Sequence, residues 1–76
     1  MNDGRRKVIG KVSALLNDAR ALLEGVAEEE QEAFDNLTEG LQASERGERM
    51  QEVAFELESL ASELEGIEER LEECKA

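Results

Sequence analysis

Carboxylates are the commonest groups able to do chemistry in this 76-residue chain, with 20 Asp and Glu against 9 Lys and Arg. They come in runs: Glu28-Glu29-Glu30, Glu68-Glu69 and Glu72-Glu73. Paired carboxylates serve acid–base catalysis when a pocket perturbs one of them and a second catalytic group stands close by. Here the spacing spreads them over long polar helix faces, and the chain contains no His. A solvated face is the simpler reading. Glu29 and Glu30 differ because they interrupt an apolar stripe. Di-metal bundles hold ions through carboxylates in such places, but they add a Glu-x-x-His motif that this sequence lacks. No catalytic residue, metal site or cofactor is expected, and these two glutamates should open the structure to solvent near the loop.

Two other reactive features have equally plain readings. Cys74 is the only cysteine and has no His to act as its base, so it reads as a small apolar residue near a fraying helix end. It also fits a reducing compartment and rules out an internal disulfide framework. Arg5-Arg6-Lys7 could touch phosphate, yet the cluster is short, has no aromatics within it and belongs to a molecule of net charge −11. Direct nucleic-acid binding is therefore not expected, because phosphates would be repelled. A small-molecule substrate has no site that the sequence suggests. No apolar run approaches the roughly 20 residues needed to span a bilayer, and no apolar signal segment follows the N-terminal cations. The expected location is the cytoplasm.

The elements that carry these groups are helices. Pro, Trp, Tyr and His are absent, and Glu, Leu, Ala and Arg dominate. Residues 50 to 74 keep an unbroken heptad: Met50, Leu57, Leu64 and Leu71 alternate with Val53, Leu60, Ile67 and Cys74. A first helix is predicted over about residues 3–35. Its apolar residues Val8, Ile9, Val12, Leu15, Leu16, Ala19, Leu22, Leu23 and Val26 form one broad face; Leu15, Leu22 and Val26 belong to its seam, and Ile9, Leu16 and Leu23 widen the stripe. Gly10 and Gly25 weaken that helix by roughly 1 kcal/mol each relative to Ala. A loop at about 36–44 holds the turn residues Asn36, Thr38, Gly40 and Ser44, and Ser44 is the natural N-cap of a second helix over about 45–75. One short connection between two long helices predicts an all-α antiparallel hairpin, a single domain over residues 1–76. In that arrangement Arg5, Arg6, Lys7 and Lys11 should neutralise Glu68, Glu69, Glu72 and Glu73 across the helices.

A two-helix hairpin buries one stripe per helix, and these stripes are wider than that. Ala54 and Ala61 broaden the second helix's seam in the same way. A homodimer of hairpins forming a four-helix bundle is the expected solution. A parallel pairing of the second helices alone is disfavoured, because Glu63 would face Glu68 and Arg70 would face Lys75. A further stripe of Phe55, Ser59, Ser62 and Gly66 points away from the seam. Either Phe55 packs against the loop or Leu41, or the stripe is a shallow groove for a partner helix.

The loop region also carries a resemblance. Glu29-Glu30-Gln31-Glu32-Ala33-Phe34-Asp35-Asn36-Leu37, Glu39, Leu41-Gln42 and Ser44-Glu45-Arg46-Gly47-Glu48 resemble a group of small bacteriophage and prophage proteins. Members start with a basic stretch like Arg5-Arg6-Lys7 and end in a Leu/Ala/Glu-rich helix. Thr38 stands where the group usually has Pro, and Gly40 where Ser or Asn is common, which suggests a softer turn. The resemblance implies a phage origin, a host-cell cytoplasm and a helical hairpin. It carries no mechanism with it.

The functional expectation is a non-enzymatic interaction protein with a host or phage protein as partner. One job is to block a host factor such as a CRISPR or other defence complex, using acidity to occupy a basic groove. The surface for it would be Glu28, Glu32 and Asp35 with Glu52, Glu56, Glu58 and Glu63. The other job is structural, a scaffold or assembly part acting through the heptad seam and the Phe55 stripe.

Overall fold

Asn2 starts the fold by standing in extended backbone and accepting the Arg5 N–H on its side-chain oxygen at 2.8 Å. The computed structural model describes residues 1–76, in the order α1 (Asp3–Asp35), α2 (Glu39–Gln42) and α3 (Glu45–Lys75). There are no strands. The two long helices run antiparallel as a hairpin whose Cα atoms extend 58 × 14 × 12 Å.

The connection is more ordered than the sequence suggests. Asn36 ends α1, its N–H reaching the Glu32 carbonyl at 3.0 Å. Thr38 then caps a single helical turn, α2, by accepting the Leu41 N–H at 3.4 Å. Ser44 caps α3 as expected, accepting the Gly47 N–H at 3.2 Å, and its hydroxyl donates to the Leu41 carbonyl. The Gln42 side chain donates to the Phe34 carbonyl at 3.1 Å, adding to the bond that carbonyl accepts from the Leu37 N–H at 3.0 Å and tying α2 to the end of α1. Gly47 is buried where the end of α2 lies against the start of α3. A Cβ there would run into the Leu41 and Gln42 carbonyls. Gly47 therefore permits the close approach that sets the two helices side by side.

Covered residues on α1 recur at three- and four-residue steps: Ile9, Ser13, Leu16, Arg20, Leu23, Ala27, Glu30 and Phe34. On α3 they are Gly47, Met50, Ala54, Leu57, Ala61, Leu64, Glu68 and Leu71. The buried core is Ala27, Phe34, Ala54 and Ala61, and no large side chain is fully buried. The hairpin thus closes mainly on small residues, with larger ones only half-covered beside them.

Three expectations are corrected. The α1 contact row is Ile9, Leu16 and Leu23 with Ala27 and Phe34, not the row of Leu15, Leu22 and Val26, which is exposed. On α3 the facing Ala54 and Ala61 let the helices approach closely there, which buries Ala27 and half-covers the leucines beside it. Secondly, the basic cluster does not pair with the C-terminal glutamates. Arg6 bonds the Lys75 carbonyl at 3.0 Å and Asp3 at 3.1 Å, while Glu72 pairs with Lys75 at 3.2 Å. Glu68 is taken instead by Arg20 at 2.9 Å, the one ion pair that crosses the hairpin. Thirdly, Phe55 packs on neither the loop nor Leu41, for both it and Leu41 are exposed.

Candidate interaction surface

Heptad geometry sorts every remaining side chain into rows around each helix. Arg20 and Glu68 mark one edge of the hairpin contact. On the opposite edge, α1 presents Val8, Leu15 and Leu22 in one row and Val12, Ala19 and Val26 in the next. At the same edge α3 presents Val53, Leu60 and Ile67. Because the helices are antiparallel, these rows lie on one side of the hairpin and form a single apolar face. Leu15 is 69% exposed and Leu22 73% exposed, and Val8, Val12, Val26, Leu60 and Ile67 are all open to solvent. The face ends in charge, with Arg5 before Val8 and Glu29 after Val26 on α1. Arg70 and Glu56 flank it on α3. All four charged residues are exposed.

The rod shape of the hairpin also leaves it a large total surface for its mass. A folded chain of 8.5 kDa ordinarily exposes about 4,700 Å². This one exposes 5717 Å², an excess of about 1,000 Å². One side of a standard protein–protein interface is about 800 Å². Contiguous exposed apolar surface of this kind marks a contact site in most soluble proteins.

The seam residues read from the sequence divide between two surfaces. Met50, Leu57, Leu64 and Leu71 face α1 and are half-covered. Leu60 and Ile67 are exposed on the open face together with Leu15, Leu22 and Val26, while Val53, in the same row, is half-covered. The acidic residues also divide. Glu56 and Glu63 border the apolar face, whereas Glu28, Asp35 and Glu58 lie on the Arg20 side. Glu32 and Glu52 point outward on the backs of their helices. All seven are exposed, but they do not form one patch. Phe55 is 73% exposed and lines a shallow groove with Gln31, Glu48, Gln51, Glu52 and Glu58. Ser59 and Ser62 continue from it as a second depression, while Gly66 lies further along the same back surface.

Arg20 is the most constrained polar group. It bonds Glu68 across the hairpin, Glu24 at 3.1 Å and Asn17 at 2.8 Å. The hydrogen bond to Glu68, then that to Glu24, raises its pKa above the usual arginine value. Ser13 sits in the same seam with its hydroxyl buried and unpartnered. Cys74 is exposed. No group of three or more His, Cys, Asp or Glu is placed to hold a metal ion, and no helix is long and apolar enough to cross a membrane.

Sequence reasoning placed Val8 and Val12 on one broad apolar face and Glu29 at its interruption, without separating the rows; it missed Arg5 as the other end, Gln42 as a partner of the α1 end and Gly47 as a contact point. The seven-residue step from Val8 through Leu15 and Leu22 to Glu29 was the available signal for the separate row. Comparison with family models, with curated proteins and with solved structures finds no match.

Proposed function

We propose that this chain is a non-enzymatic, acidic protein-interaction module that works as a homodimer of hairpins, a four-helix bundle. The uncovered apolar face carries this reading. Nothing within the chain covers it, and it spans both helices. A carboxylate-based reaction has no comparable support: most glutamates lie on exposed helix faces, and the covered Glu68 is held by Arg20. Once the apolar faces meet, the outward surface is dominated by carboxylates. That surface suits a basic partner, including a nucleic-acid-binding protein of a host defence system, in keeping with the phage-like loop pattern. The open Phe55 groove favours a second reading, a structural part that docks another helix of a phage assembly.

Two measurements test these readings. Light scattering at micromolar concentration should give twice the 8.5 kDa chain mass; a monomer would remove the dimer. Pull-down from a bacterial host, washed at low and at high salt, separates the two jobs. A basic protein released by salt supports the acidic mimic, because exposed charge contacts are screened within about 10 Å at 0.1 M salt. A partner that survives salt but is lost in Phe55→Ala supports the structural role.

A further inference from the structure

We propose that the second copy docks with its loop at the opposite end of the bundle, α1 against α1 and α3 against α3. The proposal rests on the homodimer reading above and adds its geometry. Two two-fold arrangements cover the apolar face: loops at the same end, or loops at opposite ends. Each makes a different set of residues meet, and the charges at the ends of the face choose between them.

The Arg6–Lys75 contact fixes the axial register of α1 and α3 within one hairpin. With loops at the same end, α1 of one copy lies over α3 of the other in that same register. Leu15 then comes level with Ile67 and Leu22 with Leu60, but Glu29 falls on Val53, Val26 falls beside Glu56, and Val12 beside Arg70. Each such contact desolvates a charge against an apolar group with no partner to offset it. Lys11 also approaches Arg70, and Asp18 approaches Glu63.

With loops at opposite ends, α1 meets its copy antiparallel about a point near Asn17. Val8 then meets Val26 of the second copy, and Val12 meets Leu22. Arg5 comes to Glu29 at both ends of the row, so the two charges that bound the face pair with each other. The same two-fold axis passes α3 near Leu64. Leu60 meets Ile67, Val53 meets Cys74, and Glu56 comes beside Arg70. Apolar residues thus meet apolar ones along both helices, and the four flanking ion pairs are all attractive. Asp18 and Glu63 approach their own copies only at the wet rim, where water and salt screen them.

The native cysteine makes the test direct. Cys74 lies about ten residues along α3 from the proposed axis, so two Cys74 residues should stand roughly 30 Å apart along the bundle. With loops at the same end they share one level and lie under roughly 20 Å apart, given helix spacings of about 8–10 Å. A nitroxide on Cys74 and a pulsed dipolar distance measurement read this in the full-length protein, with mass taken on the same sample. A dimer mass with a distance near 30 Å supports the opposed arrangement. A dimer mass with the short distance overturns it while leaving the dimer intact, and a monomer mass overturns the dimer itself. A second experiment uses Val53→Cys. Within one chain that position is roughly 31 Å from Cys74 along α3, too far to bridge. Mild oxidation should link two chains in the variant and not in the wild type. A wild-type protein that links through Cys74 alone, as readily as the variant, overturns the proposal.

Discussion

Replacing Gly47 with Ala should destabilise the protein even though Ala is the better helix former. Gly47 lies in the first turn of α3, and an added Cβ would sit 2.8 Å from the carbonyl carbon of Gln42. It would also press on the carbonyl oxygens of Leu41 and Gln42. Ordinary carbon–carbon contact needs about 3.5 Å or more. Both obstacles are backbone, so no side-chain rotation relieves them. Overpacking of this kind costs about 1–3 kcal/mol. If α2 moves away instead, the Ser44 cap and the Gln42–Phe34 bond are strained, at about 1 kcal/mol for a lost cap. The helix-propensity gain of Ala returns about 1 kcal/mol, leaving a net loss of up to about 2 kcal/mol. For a domain of this size each kcal/mol moves the melting temperature by about 4–8 °C. Gly25→Ala is the control, because nothing lies within 4 Å of its added Cβ. It should gain about 0.5–1 kcal/mol. Thermal melts followed by circular dichroism, at one fixed protein concentration, compare the three proteins. A Gly47→Ala melt at or above wild type would refute the close-approach argument.

Three further outcomes are expected. Leu22→Ala should be nearly silent in an isolated hairpin, within about 0.5 kcal/mol, but should weaken a dimer roughly 100-fold or more, since both copies lose a buried leucine; Leu64→Ala should cost about 2–5 kcal/mol in either state. Dilution-dependent mass and melting separate these cases, and equal effects of the two substitutions would show that the faces are wrongly assigned. Ser13→Ala removes a buried hydroxyl with no hydrogen-bond partner, so its melting temperature should equal or exceed wild type; a clear loss would reveal a bond to that hydroxyl. Arg20→Met should lower the melting temperature by removing the pair with Glu68. Since the folded-state pKa of Arg20 is raised, the pair's contribution is complete below the unfolded value and is lost only as pH rises past it. The difference between wild type and Arg20→Met should thus be flat from about pH 7 to about pH 11, and a trend across that window would contradict the assignment.

The helices, their limits and the antiparallel connection could be read from the sequence because each rests on local rules. The absence of Pro, the heptad from Met50 to Leu71 and the Ser44 cap all depend on residues within a few positions of one another. The extra turn at Glu39–Gln42 was harder, because Thr38 reads as a loop residue until its hydroxyl is seen to cap Leu41. The rotation of α1 about its own axis was harder still. Periodicity finds an apolar arc, and on α1 that arc covers four rows, from Ala27 and Phe34 round to Leu15 and Leu22. Which rows face α3 depends on the size of what α3 offers. Ala54 and Ala61 face α1 and admit a close approach, and the rows that meet them carry Ile9, Leu16, Leu23, Ala27 and Phe34. The rows of Val8, Leu15 and Leu22 and of Val12 and Val26 are left over.

That leftover is the link between packing and function. A hairpin that stood alone would gain by turning Leu15 and Leu22 inward and placing Ser13 and Arg20 outside. Instead Ser13 has its hydroxyl buried without a partner, and Arg20 is held in the seam by three acceptors. A seam with these polar residues stabilises the hairpin less than an apolar one of the same length would. The arrangement makes energetic sense if the bulkier rows are covered in the working state, where their burial counts twice in a symmetric pair. The net charge of −11 then limits the assembly. On the proposed dimer, carboxylates would ring the remaining surface and repel further hairpins, so growth would stop once the apolar faces were closed.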